Sequence, residues 1–225
     1  MKFSFNEPFD ELLNGGLEVG CITNFYGPPG TAKTQLALLA ALAVVKENKK
    51  VIFIDTEGGF SPERLEQMYG KNIEDIVDKI IIFEPKDWIE QKETFEKIEQ
   101  ACKENDVGLV ALDSIVALWR VTITENNAQE INRELATQLS ILSKIARENK
   151  IPVLVTNQVY DDIETGETKM SCKNIVKWWS KNIIELGLGE QTGHRFATIK
   201  KARALPEDKK IEFKITESGL EKVAD

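Results

Sequence analysis

Gly27-Pro28-Pro29-Gly30-Thr31-Ala32-Lys33-Thr34 follows a mostly apolar run, Cys21-Ile22-Thr23-Asn24-Phe25-Tyr26, and precedes an Ala/Leu-rich run from Gln35 to Val45. Strand, glycine loop and helix, in that order, form the setting a phosphate-binding loop needs. Backbone N–H groups wrap the phosphates, a Lys reaches the β- and γ-phosphates, and a Ser or Thr hydroxyl holds Mg²⁺. Lys33 and Thr34 stand in those two positions. Gly27 opens the loop, and Pro28, Pro29, Gly30, Thr31, Ala32 and Gln35 complete the stretch expected to contact nucleotide. ATP and Mg²⁺ are the expected ligands. One position departs: Gly is expected before the Lys, and the chain has Ala32. If that position needs φ > 0, a methyl group strains it. The expectation is a poorly preorganised cradle, in which Ala32→Gly tightens ATP binding or speeds turnover.

Outward from the loop, strands and helices alternate. Residues 19–26 read as the first core strand and 33–48 as the helix after it. Val51-Ile52-Phe53-Ile54-Asp55 is continuously apolar up to its Asp, as a strand buried on both faces should be. Ser61-Pro62 reads as N-cap and first helical residue. Ile80–Phe83 is a short strand. In the helix predicted from Lys86 to Asn105, the residues Trp88, Phe95, Ile98 and Cys102 share a face. Val107–Leu112 is the next strand, and Asp113 ends it. The helix predicted over 126–149 carries Ile131, Leu135, Leu139, Leu142 and Ala146 on one stripe, and Ile151–Thr156 is another buried strand. This alternation predicts an α/β fold: an open, mostly parallel sheet flanked by helices. Residues 1–18 read as a capping segment with Phe9, Leu12 and Leu13 inward. Beyond residue 180, Ile183–Leu186, Phe196–Lys200 and Ile211–Ile215 read as an antiparallel C-terminal extension over 181–225. One domain over 1–225 is expected.

Composition narrows the function. The chain has 225 residues, 42% hydrophobic and 29% charged, and a net charge of −8. That excludes a globally basic nucleic-acid coat, so any nucleic-acid site must be local. Three dispersed cysteines and one histidine argue against a disulfide framework or a structural zinc site and for a reducing cytoplasm. No run of transmembrane length and no signal peptide is read, so no membrane partner is expected.

Ligands of such sheets lie beyond the carboxyl ends of the strands. Four polar groups stand there: the loop itself, Asp55-Thr56-Glu57, Asp113 and Asn157-Gln158. Asp113 closes a hydrophobic strand and is placed to hold the Mg²⁺ shell with Thr34. Glu57 is the candidate to orient and deprotonate water. Gln158 can donate to the γ-phosphate and reorient on hydrolysis. Lys33, Glu57 and Gln158 are therefore the candidate catalytic residues.

The wording Asp55-Thr56-Glu57-Gly58-Gly59-Phe60-Ser61-Pro62-Glu63-Arg64-Leu65, together with Leu112-Asp113-Ser114, Asn157-Gln158-Val159 and Ile215-Thr216-Glu217-x-Gly219, resembles the archaeal RecA-type recombinases, and among them the short paralogues of RadA. The resemblance covers nearly the whole chain. It implies a RecA-like P-loop ATPase core, a role in homologous recombination and DNA repair, and weak hydrolysis. It further implies DNA binding without strand exchange, and association with RadA and a Holliday-junction resolvase. It places Lys33 and Thr34 on nucleotide and Mg²⁺, Glu57 as catalytic carboxylate, Asp113 as the Walker B residue, and Gln158 at the start of a second DNA loop. A helix-hairpin-helix domain and the Phe-x-x-Ala tether of filament-forming relatives are not seen ahead of this core, so self-assembly into an active filament is not expected.

Two loops are expected to face DNA, single-stranded or branched: Val116–Asn127, with Arg120 beside Trp119, and Val159–Cys172, which opens on Asp161, Asp162 and Glu164. Lys169, Lys173, Lys177 and Lys181 recur every four residues with Trp178 and Trp179 among them; as a helix they make one stripe. Cations track phosphates and rings stack on bases. The bland alternative is a solvated lysine face with the tryptophans in the core. Lys200, Lys201 and Arg203 form a second basic group, which the resemblance places where a neighbouring subunit's nucleotide could be reached in a homo-oligomer. His194 reads as a surface residue in a hairpin turn. Two other functions stay open: a regulatory RecA-like ATPase acting on proteins, and a module that holds nucleotide without hydrolysing it. Salt-dependent single-strand binding separates the first from a recombination factor, and single-turnover hydrolysis separates the second.

Overall fold

A computed structural model describes residues 1–161 and 168–223. The N-terminal segment is strand β1 (Lys2–Phe3), helix α1 (Glu7–Leu12) and strand β2 (Leu17–Glu18), with β1 and β2 paired antiparallel. The core runs β3 (Ile22–Tyr26), α2 (Lys33–Lys46), β4 (Lys50–Asp55), α3 (Pro62–Tyr69), β5 (Ile80–Phe83), α4 (Trp88–Glu104), β6 (Val107–Asp113), α5 (Ala117–Thr122), α6 (Ala128–Asn149) and β7 (Val153–Asn157). It continues with β8 (Val159–Asp161), β9 (Thr168–Met170), α7 (Lys173–Trp179), β10 (Ser180–Leu188), β11 (His194–Lys201), β12 (Lys210–Thr216) and β13 (Gly219–Lys222).

Nine strands form the main sheet in the order β13-β12-β11-β10-β3-β7-β6-β4-β5. Every pairing from β10 to β5 is parallel, and β11, β12 and β13 add on antiparallel. One expectation is corrected. Ile183–Leu186 lies in β10, which is parallel to β3, so the antiparallel extension starts one strand later, at β11. Residues 158–179 give the chain enough length to cross back and lay β10 alongside β3, as a parallel pair requires.

Each sheet face has its own core. On one, Phe9 packs edge-on against Phe25 and Phe213 at 5.9 and 5.2 Å between ring centroids, so the N-terminal segment and the C-terminal strands close over α2. On the other, Ile22, Ile54, Leu112 and Val155 meet Phe95 and Ile98 of α4 and Leu135, Leu139 and Leu142 of α6. The predicted helical stripes are the buried ones. Ser61 caps α3 by accepting from Arg64 N–H at 3.1 Å, with Pro62 at the first helical position. Among the described residues no helix is long and apolar enough to cross a membrane.

Candidate functional site

Parallel strands end together, and four of these strand ends converge. β3 ends at the phosphate loop, β4 at Asp55-Thr56-Glu57, β6 at Asp113 and β7 at Asn157-Gln158. Gly27 is required by close approach: a Cβ there would lie 2.2 Å from the carbonyl oxygen of Leu186 on β10. Thr31 Oγ1 donates to Pro28 O at 2.8 Å and knots the loop. Ala32 sits in the left-handed region, φ 78° and ψ 21°, immediately before α2. Ala32 is only 6% exposed and belongs to the hydrophobic core on this face of the sheet.

Lys33 Nζ donates to Gly27 O and Pro28 O at 2.8 and 2.9 Å. Burial lowers its pKa, opposed by the charges of Asp113 and Glu57. Asp113 is 2% exposed and accepts from Thr34 Oγ1 at 2.5 Å and from Thr156 Oγ1. Burial pushes the Asp113 carboxyl up; the two hydroxyls oppose this, while Glu57 and Asp55 add to it. A buried carboxylate and a hydroxyl in contact, with two further acids nearby, are a donor set suited to a hard divalent cation. The residues present therefore fit Mg²⁺ held by Thr34 and Asp113, beside a loop shaped for phosphate.

Glu57 is held at one oxygen. Ser114 Oγ and Gln158 Nε2 both donate to Glu57 Oε1, at 2.5 and 2.7 Å, and Arg120 Nη1 donates to Gln158 Oε1 at 2.7 Å. Three predicted residues from three elements thus form one chain, ending on the candidate base. The turn carrying Glu57 is fixed by Asp55, whose carboxylate accepts backbone N–H bonds from Glu57, Gly59 and Phe60 at 2.8–3.2 Å. Thr56 Oγ1 donates to Ser114 O at 2.7 Å and accepts from Ser114 N–H. Gln35 is linked to the Ser-Pro-Glu-Arg turn, since Arg64 Nε donates to its Oε1 at 2.7 Å. Arg64 also donates to Thr216 O and Glu217 O.

The lysine stripe is corrected. Helix α7 covers only Lys173–Trp179; Lys169 lies in β9 and Lys181 in β10. What the fold builds is a cavity of about 380 Å³, with Lys169, Lys173, Lys177, Lys200 and Lys201 around Tyr26 and Met170. Glu207 and Asp208 also line it. Trp178 is 77% exposed, while Trp179 packs on the core. Half of Val116–Asn127 is helical, as α5, and the expected loop residues Asp162 and Glu164 lie outside the described residues. Each predicted trans-acting cation has a partner in its own chain. Lys200 Nζ lies 3.4 Å from Glu185 and 3.5 Å from Asp208, and Arg203 Nη1 lies 3.7 Å from Glu18. Lys201 Nζ donates to Lys177 O and Ser180 O at 2.5 and 2.7 Å, closing the end of α7. Burial lowers the pKa of Lys201, aided by Lys181, Lys177 and Arg203. His194 opens β11 and is not in the turn.

Sequence reasoning missed Asp55 as a turn anchor, Ser114 and Thr156 as partners of the two acids, and Arg195. A polar residue closing an apolar strand was the available signal for Thr156. Arg195 Nε donates to Gly30 O of the phosphate loop at 2.7 Å, from a position 165 residues away, and no local pattern marks it.

Comparison with known proteins bears on the family and the fold. The Rad51 family model matches residues 4–223. The DNA repair and recombination protein RadB of Methanobrevibacter smithii is 41% identical over 224 aligned residues, covering 97% of this chain and 95% of that protein. The protein of the same name from Methanococcus maripaludis strain C7 is 40% identical, with 94% and 96% covered. A crystal structure of the RadB recombinase superposes with a TM-score of 0.84 at 36% identity, covering 99% of this chain and 100% of that one. Shared length, sequence and overall fold leave one assignment: this chain belongs to the Rad51 family, on its RadB branch.

Proposed function

We propose that this chain binds Mg-ATP and DNA as an accessory factor in homologous recombination and repair, hydrolysing ATP very weakly and exchanging no strands itself. The contact of Thr34 with Asp113 beside the phosphate loop is the observation that carries the nucleotide half. Bound there, Mg²⁺ supplies charge neutralisation to the phosphates. Lys33 places a point charge at the β- and γ-phosphates, and Thr34 and Asp113 hold the ion. Glu57 accepts the proton of an attacking water, and Gln158 orients the reacting group through its amide.

Ser114 and Gln158 both donate to Glu57 Oε1, which fixes the carboxylate and sets the direction in which Oε2 meets a water proton. The DNA half rests on the lysine cavity and on Trp178, whose exposed ring adjoins Lys177. Association with RadA and with a Holliday-junction resolvase is proposed from the sequence resemblance alone. Calorimetry of ATP with the wild type and Lys33→Ala tests the nucleotide reading. Binding is expected to vanish in the variant, and equal affinity in the two proteins refutes the assignment.

A further inference from the structure

The phosphate loop must present its N–H groups in one conformation, and two of its residues, Gly30 at φ 79° and Ala32 at φ 78°, sit in the left-handed region. Such a loop needs its carbonyls tied down. Thr31 and Lys33 supply ties to Pro28 O and Gly27 O from within the loop. Lys33, however, is the residue needed at the phosphates, so its bonds to these carbonyls cannot be a permanent brace. Arg195 comes from outside. It lies at the start of β11, paired with Leu188, so the β10–β11 hairpin projects past the same sheet edge as the loop. Its Nε donates to Gly30 O and its Nη1 to Gly193 O, both at 2.7 Å, which holds the guanidinium between the tip of the phosphate loop and the hairpin turn.

We propose that Arg195 is a positioning residue for nucleotide binding: it clamps the tip of the phosphate loop to the β10–β11 hairpin and makes ATP affinity depend on that hairpin. The proposal rests on the reading that this loop holds ATP. The physics is that of a charge-assisted hydrogen bond restraining a backbone segment, which lowers the ordering cost of binding. An ammonium can also bridge two carbonyls, as Lys33 does, but a guanidinium suits this task because its Nε–H and Nη–H directions are fixed by one rigid plane, whereas the three donors of an ammonium rotate. The clamp favours the binding-competent loop whatever ligand oxygens it meets, so it acts on affinity and leaves the chemical step alone.

The test compares wild type, Arg195→Met, Arg195→Lys and Lys33→Ala in full-length protein, by calorimetry with Mg-ATP and by single-turnover hydrolysis at saturating ATP. Arg195→Met is expected to weaken ATP about tenfold, the lower end of what a hydrogen bond to a charged group supplies. Its single-turnover rate should stay within about twofold of wild type, because uniform binding is what is lost. Arg195→Lys should recover only part of the affinity. Raising the salt from about 0.05 to about 0.5 M, which shortens the Debye length from roughly 14 to roughly 4 Å, should leave the Met-variant deficit in place; a deficit that disappears with salt would mean a mere field effect and overturn the clamp. Unchanged affinity in Arg195→Met, with circular dichroism and melting temperature as in wild type, overturns it too. If Arg195→Met fails to fold, the Lys variant carries the test: full wild-type affinity there refutes the fork geometry. Lys33→Ala separates the two levels. Should it also bind ATP normally, the nucleotide reading itself fails; should it lose binding while Arg195→Met does not, only the clamp fails.

Discussion

Ala32 gives the sharpest test of the local physics. An L-residue in the left-handed region costs roughly 1–2 kcal/mol, which Gly escapes. Ala32→Gly therefore recovers that strain. Against it stand the lost burial of one methyl, about 0.8 kcal/mol, and the freedom Gly adds to the unfolded chain, about 0.4–1 kcal/mol. These terms nearly cancel, so stability should change by less than about 1 kcal/mol, or about 3 °C in melting temperature for a chain of this size. Ala37, fully buried within helix α2, which Ala32 precedes, is the control. There Gly recovers no strain and costs about 1 kcal/mol of helix propensity plus the same methyl, so the melting temperature should fall by roughly 4–7 °C. Differential scanning calorimetry of the two variants decides it. An equal loss in both would refute the claim that the left-handed backbone at Ala32 is strained. The structure also revises the expectation of tighter ATP binding. The strain sits in the Ala32 backbone of the free and the bound protein alike, so the energy released cancels and ATP affinity should move by less than about threefold.

Asp113 makes stability depend on pH. Its folded pKa is raised by burial, so its contribution is favourable at low pH and is lost as pH rises from the ordinary range near 3.8 through the raised value. Asp113→Asn without Mg²⁺ should therefore melt above wild type at pH 7, with the gap closing toward acid pH; a variant less stable at pH 7 contradicts this. It should also lose any Mg²⁺-dependent gain in ATP affinity. Glu57→Gln should keep ATP bound but abolish the slow turnover, measured under single-turnover conditions, and persistence of the wild-type rate removes Glu57 as base. Replacing Lys173 and Lys177 with Met should weaken oligo-dT binding and flatten its log–log salt slope by about 1.4, at about 0.7 per phosphate contact; an unchanged slope returns the lysines to plain surface.

The parallel core was legible because period and punctuation agreed there. Val51–Asp55 and Val107–Asp113 are unbroken apolar runs closed by an acid, and each became a fully or almost fully buried strand. The meeting of Thr34 with Asp113 was readable for the same reason: the ends of parallel strands lie side by side, so a loop after one and an acid closing another come together. Where the reading failed, spacing was mistaken for helix. Lys169, Lys173, Lys177 and Lys181 do recur every four residues, yet β9 and β10 own the outer two, because pairing with β8 and β3 outweighs a weak local preference. Lys200 and Lys201 then join the cavity from a strand that the local sequence could not place beside α7. Arg195 was invisible on similar grounds: its partner is a backbone carbonyl, which no side-chain pattern announces.

Gly27 rests against Leu186, and that seat exists only once synthesis has entered the last quarter of the chain. At a synthesis rate of about 5–20 residues per second, Gly27 precedes Leu186 by on the order of ten seconds, while helices and hairpins form in microseconds. During that interval α2 can form, but β3 waits with the edge that β10 will occupy unpaired. An unpaired edge in the middle of a future sheet invites association with other chains. The long separation between β3 and β10 also makes this the slow closure of the fold, since such contacts carry their loop entropy before they repay it. A chain released short of β10 lacks the wall against which its phosphate loop is built, so nucleotide binding reports that synthesis has passed Leu186 and that the sheet has closed.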